Sequence, residues 1–330
     1  RALQEKLRTQ HTASRRELLS LEAARESRWQ LDFNDRPKPP FTGVRTIEPD
    51  IKTLRDYVDW TFFFHAWELK GKYPAILDSP SQGAAARELF GHAQELLDEI
   101  QSKGLLKARG VYGFWPARTE GDDVVLENGM RFPMLRQQVD HGDEKPYLSL
   151  ADFVAPDSDH IGAFAVTAGL GVDELAAKFS AEHDDYHAIM AKALADRLAE
   201  AFAEYLHEKV RREWYETGPK LANEELIREK YRGIRPAFGY PACPDHTEKR
   251  KLFDLLDARS IGMELTETCA MTPTAAVSGL YFAHPQSRYF MVGKIGRDQV
   301  EDYARRKGMT VSETERWLRP NLGYEEDNRS

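Results

Sequence analysis

Apolar residues along this chain change period several times, and each change marks an element. Over residues 81–104, Leu89, Phe90, Leu96, Leu97 and Ile100 recur at helical spacing and predict one amphipathic helix. The same period returns over residues 173–215, the longest predicted helix, where Leu194, Leu198, Phe202, Tyr205 and Leu206 form one face. Asp196 and Glu200 fall four apart on the opposite face. Between these helices the runs are short. Residues 111–115 and 124–126 flank Gly121-Asp122-Asp123 and predict a hairpin, while residues 152–155 and 161–167 predict buried strands. Two later strands, 276–283 and 288–294, are expected to be joined by His284-Pro285-Gln286-Ser287. The chain closes on two short helices, the second opened by Thr310 with Glu313. Trp60, Phe62, Phe63, Phe64 and Trp67 crowd one stretch, and so many rings are expected in the core. Strands in hairpin groups, with helices not regularly interleaved, give an α+β class. The expected architecture is a single large domain with an antiparallel-rich sheet and long helices, not a doubly wound Rossmann sheet.

One stretch obeys neither period. In residues 231–249, YRGIRPAFGYPACPDHTEK, the prolines at 236, 241 and 244 surround Gly239. Proline lacks an N–H, and the residue before it avoids the helical region, so this segment is neither helix nor central strand. It reads as a stiff ribbon whose peptide groups are not all used in ladders. Such a ribbon can offer its backbone to a flat heterocycle, with Gly239 permitting close approach. Arg235 adds a planar fork suited to a carboxylate or a phosphate. A rigid surface turn is the plainer reading of the same spacing.

Composition removes several functional classes. The net charge of −8 leaves no general basic surface, so no nucleic-acid partner is expected. No apolar run approaches the roughly 20 residues that cross a bilayer, so no membrane partner is expected either. Cys243 and Cys269 form no CxxC pair and are expected as free thiols in a reducing cytoplasm. His183 and His187 have a zinc-like spacing, but HDDYH lacks the glutamate after the first histidine, and no metal is expected. Gly169-Leu170-Gly171 lacks the context of a phosphate loop and reads as a turn. Residues 1–38, with Lys6, Arg8 and Arg15-Arg16, read as a linker or loosely held helix leading into a folded unit at 39–330. A start at Arg1 fits a fragment of something longer.

The pattern Arg-Pro-Ala-x-Gly-Tyr-Pro-x-x-Pro-x-His-Thr-Glu-Lys at residues 235–249 resembles the signature of the C-terminal activation domain of cobalamin-dependent methionine synthase. Asp59-Trp60-Thr61, Gly71-Lys72-Tyr73-Pro74, the stretches 150–156 and 161–167, the helix 192–208 and residues 297–304 look like the same family, in order. The resemblance implies a methyltransferase part that binds S-adenosylmethionine and reductively reactivates cobalamin held by a domain outside this chain. It implies Arg235 for the ligand's α-carboxylate and Asp59 for its ammonium. The backbone of Ala237 and Gly239 would meet the adenine edge with Tyr240 as a wall, and Tyr289-Phe290 would be the aromatic pair that holds the ligand. Asp196 and Glu200 would lie near the corrin or the sulfonium. Phe238 stands at a variable position of the pattern.

No catalytic acid or base is implied, because the task is mainly positioning a methyl group. The chain lacks a cobalamin-carrying Asp-x-His-x-x-Gly pattern and a zinc-binding cysteine cluster, which places folate and homocysteine chemistry elsewhere. The implied partners are the cobalamin-binding domain of the same enzyme and a flavodoxin or flavodoxin-like reductase. An acidic reductase would need a local basic patch, for which Arg211-Arg212, Lys249-Arg250-Lys251 and Arg305-Arg306-Lys307 are candidates. A module that binds S-adenosylmethionine or docks the reductase without catalysis of its own is the alternative. A Rossmann-type methyltransferase is disfavoured by the lack of a strand–Gly-rich-loop–helix unit.

Overall fold

The computed structural model describes residues 17–142, 144–216 and 231–325. Its strands in chain order are β1 (Gly43–Ile47), β2 (Lys107–Glu120), β3 (Asp123–Leu126), β4 (Arg131–Pro133), β5 (Asp159–Leu170), β6 (Glu264–Leu265), β7 (Met271–Thr272) and β8 (Ala276–Tyr281). Its α-helices are α1 (Leu21–Glu26), α2 (Ile51–Arg55), α3 (Trp60–Ala66), α4 (Gly83–Lys103), α5 (Val172–Ala181), α6 (Asp185–Trp214), α7 (Glu248–Leu256), α8 (Arg297–Lys307) and α9 (Val311–Leu318).

Strand β2 organises the main sheet. One edge pairs with β5, from Ala117 opposite Asp159 to Lys107 opposite Leu170. The other edge is shared, with β1 on residues 110–114 and β3 on residues 117–120. β4 extends β3 and β8 extends β5, and every pair is antiparallel. This is the α+β architecture the sequence predicts.

β5 explains the continuous apolar run in its sequence. Phe164, Val166 and Ala168 point into a core built with α4 and α6, whereas Ile161, Ala163 and Ala165 point into a second core against α7. A strand covered on both faces has no solvent side to make polar. Leu198 and Phe202 of α6 are fully buried in the first core. Each such side chain contributes about 1.5–3 kcal/mol by area removed from water. A third, smaller core joins α8 and α9 to Leu135, Val292 and Ile295.

Local competition overturns several sequence expectations. Residues 150–153 form a 3-10 turn in place of a strand, because Ser149 and Asp152 make a reciprocal capping box. The predicted helix over 173–215 is broken into α5 and α6. His183 adopts φ +59° in the break, and Asp184 caps α6 through the His187 N–H. The His187 ring lies 2.7 Å from the Asp184 carboxylate. Residues 288–294 form no strand on β8. That segment is tied instead to its neighbours, with the Val292 N–H donating to Pro241 O at 2.8 Å and Gln137 Nε2 donating to Met291 O at 2.8 Å. Phe62 is 58% exposed, while Trp60, Phe63 and Phe64 beside it are buried as expected.

The described part of the lead-in is docked. Leu21 and Ala24 of α1 are buried, and Arg25 bridges Asp122 and Asp302 at 2.7 Å each. Lys6, Arg8 and Arg15-Arg16 lie outside the described residues. The three basic clusters are largely consumed internally. Arg211 is buried and pairs with Glu216, and Arg212 pairs with Glu208. Lys249 is buried, and Lys251 pairs with Glu248. Arg306 pairs with Asp123 and Asp302, and Lys307 with Asp245 and Glu248. Arg305 projects into solvent and still touches Asp302, while Arg250 is exposed and, among the described residues, donates only to a backbone carbonyl, Glu267 O.

Candidate functional site

The proline-rich ribbon starts as an extra edge on β8. Ile234 and Phe282 exchange both backbone bonds, at 3.1 and 3.0 Å, and the Leu280 N–H donates to Pro236 O at 2.9 Å. Gly279 permits this approach, since a Cβ there would stand 2.5 Å from Pro236 O. Proline then stops the ladder, and the chain turns. The Gly239 N–H donates to Cys243 O, the Tyr240 N–H to Ala237 O and the Cys243 N–H to Tyr240 O. Gly239 sits at φ +92°, and a Cβ on it would overlap the His246 ring at 2.2 Å. The glycine is therefore required by the positive φ of the turn and by the packing of His246 against it. Phe238 is buried and stacks on Phe132 at 5.7 Å, which fixes the turn to β4.

Between this ribbon, α6, the start of β8 and residues 289–291 lies a cleft of about 730 Å³. Six of the sequence-predicted residues line it: Arg235, Ala237, Tyr240, Tyr289, Phe290 and Glu200. Three do not. Gly239 shapes the turn from behind. Asp196 is exposed on α6, one turn before Glu200. Asp59 caps α3 by accepting the Thr61 N–H at 2.9 Å. Tyr289 and Phe290 reach the cleft from an irregular segment and not from a strand. The Tyr289 hydroxyl accepts the Arg235 N–H at 3.0 Å, and Phe290 packs edge-on to Phe153 at 6.4 Å.

Sequence reasoning missed Phe62, Lys249, Met291 and Glu204. Phe62 and Met291 stand exposed at the cleft, beside Tyr240. Lys249 lines it from a buried position, its Nζ 3.1 Å from His246 Nδ1 and 3.3 Å from Cys269 O. Burial lowers the pKa of that amine. Glu204 pairs with the Arg235 guanidinium. Its signal was available, because it continues the four-residue spacing of Asp196 and Glu200 along α6.

Arg235 is the guanidinium of the site, with the Lys249 amine as a second basic group. Burial opposes the charge of Arg235, but Glu204 beside it more than offsets this and holds its pKa above the ordinary value. Its Nε is buried with no hydrogen-bond partner among the described residues. Behind it His207 stacks on Tyr281 at 5.4 Å, both fully buried. Burial, with Arg211 and Arg235 nearby, depresses the imidazole pKa well below its usual value. Burial likewise pushes the Cys243 thiol up, which leaves it protonated and inert. Among the described residues no cluster of His, Cys, Asp or Glu has the makings of a metal site, and no helix is long and apolar enough to cross a membrane. The cleft thus combines a cationic fork, one carboxylate (Glu200) on the α6 wall and aromatic rims. It suits a zwitterionic ligand with a flat apolar part.

Comparison with known proteins agrees with this chemistry. The family model described as "Vitamin B12 dependent methionine synthase, activation domain" matches residues 50–308. The crystal structure of the MetH reactivation domain bound to AdoHcy is similar at a TM-score of 0.91 and 52% sequence identity, over 93% of this chain and 99% of that one. The chain therefore belongs to the activation-domain family of vitamin B12-dependent methionine synthase.

Proposed function

We propose that the cleft binds S-adenosylmethionine and presents its methyl group to reduced cobalamin held by another domain, so that methionine synthase is reductively reactivated. The reading is carried by one observation: six of the expected residues, among them a largely buried, under-satisfied arginine, converge on one cleft in a chain half identical to a reactivation domain seen with AdoHcy. In this reading Arg235 takes the α-carboxylate through charge-assisted bonds. The Ala237 N–H, which has no partner among the described residues, meets the adenine edge, and Tyr240 and Tyr289 close over the ligand. Glu200 lies toward the sulfonium, where a negative charge favours the cationic ligand over its neutral thioether product. Asp59 reads the ammonium from the cap of α3.

Bound cobalamin would supply the nucleophile, and the leaving group is a neutral thioether. The chain's own work is therefore to bind, orient and exclude water. The exposed Phe62, Tyr240 and Met291 offer an apolar rim to the face of the corrin. The electron comes from a separate donor, a flavodoxin or a flavodoxin-like reductase in a cytoplasmic setting. Because most of the basic clusters are neutralised internally, with Arg250 the exception, that donor would contact mainly other parts of the enzyme. The test is to incubate the protein with S-adenosylmethionine and chemically reduced cobalamin and to follow S-adenosylhomocysteine. Accumulation dependent on both reagents supports methyl presentation. Tight binding without product would reduce the chain to a binding module.

A further inference from the structure

Arg235 is held unevenly. Neutral rings surround it, since His207, Tyr231, Tyr281 and Tyr289 all lie within range of its charge. Among the described residues Glu204 is its one carboxylate partner, and it engages a single terminal nitrogen of the guanidinium. Glu204 stands on α6 beside Ala203 and Leu206, both fully buried, so its own backbone is fixed by the core. Arginine has several rotatable bonds, and ordering them when a ligand binds costs affinity unless the side chain is already held.

We infer that Glu204 is a positioning residue for Arg235. It fixes the plane of the guanidinium from the α6 side and leaves the other N–H groups to the ligand's α-carboxylate, a role that rests on Arg235 taking that group. The opposite physical outcome is available, because Glu204 could compete with the ligand for the same cation. The partial exposure of the pair, 16% for the Arg235 side chain and 34% for Glu204, favours a hold of moderate strength.

The experiment is a double-mutant cycle by calorimetry on the full chain. It uses Arg235→Ala, Glu204→Gln and the double variant, with S-adenosylmethionine and its decarboxylated analogue as probes. Glu204→Gln is expected to weaken S-adenosylmethionine binding roughly three- to tenfold and to leave the decarboxylated analogue unchanged. The double variant is expected to bind no worse than Arg235→Ala. Glu204→Asp, which keeps the charge at shorter reach, should recover part of the loss and covers the case in which Glu204→Gln fails to fold. Tighter binding by Glu204→Gln, equal losses for both ligands, or losses that add fully to those of Arg235→Ala would overturn the positioning role while leaving Arg235 as the carboxylate site. If Arg235→Ala itself binds both ligands normally, the assignment of Arg235 fails and the inference fails with it.

Discussion

Two arginines, Arg136 and Arg235, show how this fold separates structure from function. Arg136 has no solvent exposure, and every N–H of its guanidinium is used. Nε donates to Asp122 at 2.9 Å, one terminal nitrogen bridges Asp152 and Tyr147 O at 2.8 and 2.6 Å, and the other joins Asp122 and Asp152 at 2.5 and 2.7 Å. Arg235 is also largely buried, yet it has one carboxylate partner and an orphaned Nε. A saturated arginine has nothing left to offer a ligand. An under-satisfied one, beside a cleft, is poised to receive an anion, because leaving a buried donor unpaired costs free energy that a ligand can recover.

The largest effect should come from breaking the saturated site. Arg136→Met strands Asp152 as a buried charge and leaves Asp122 with Arg25 alone, and a loss of about 3–5 kcal/mol in unfolding free energy is expected by urea denaturation. A loss under about 1 kcal/mol would mean that the pair is far better solvated than its burial implies. Arg235→Ala should do the reverse. Affinity for S-adenosylmethionine is expected to fall by about 1.5–3 kcal/mol, roughly ten- to a hundredfold, with little change in melting temperature. Arg235→Lys should recover only part, since an ammonium cannot present two parallel donors. Equal damage to stability by Arg235→Ala and Arg136→Met would erase the contrast.

The two regions should also unfold differently with pH. Asp122 is buried, which opposes its charge, but Arg136 and Arg25 hold its pKa below the ordinary carboxylate value. Its contribution is complete above about pH 4 and is lost as pH falls through the depressed folded value. His207 has a folded pKa well below 6.5, so its contribution is present above about pH 6.5 and is lost as pH falls from there toward the folded value. The wild type should lose stability in two limbs, with His207 adding no more than about 1.4 kcal/mol per pH unit to the upper one. His207→Phe keeps the stack on Tyr281 and removes two unpartnered nitrogens, and it should flatten the upper limb without removing it, because burial also lowers the pKa of His160 and His246. An unchanged profile would show that His207 titrates alike in the folded and unfolded chain, against the depression that its burial implies.

The smallest effect is expected at Asp59. Asn caps a helix about as well as Asp, so Asp59→Asn should change stability by under about 0.5 kcal/mol while weakening ligand binding roughly three- to tenfold. Early melting with normal binding would make Asp59 a cap and nothing more.

Much of this was legible in the sequence, for reasons visible in particular residues. The alternation of Phe164, Val166 and Ala168 with Ile161, Ala163 and Ala165 wrote β5 into the chain, and the 3.6 period wrote α4 and α6. What escaped was tertiary. Asp152 reads as the start of a strand, but a buried arginine claims its carboxylate and folds the stretch into a turn. Residues 288–294 have strand composition, but their backbone is bonded to the ribbon. Phe62 belongs by composition to the core and by position to the cleft. Gly239 was legible as a glycine that must be glycine, while the packing of the His246 ring against it was not. Arg235 was found through the ribbon's pattern, and Glu204 was overlooked because its meaning depends on an arginine 31 residues away.

The most direct measurement is a crystal structure of the chain with S-adenosylmethionine. The account predicts the ligand's carboxylate on the Arg235 guanidinium within hydrogen-bond distance, the adenine against the 237–240 turn, and Arg136 unchanged in its cage of Asp122 and Asp152. A ligand bound in the cleft with Arg235 still facing Glu204 alone, and its carboxylate held elsewhere, would contradict it.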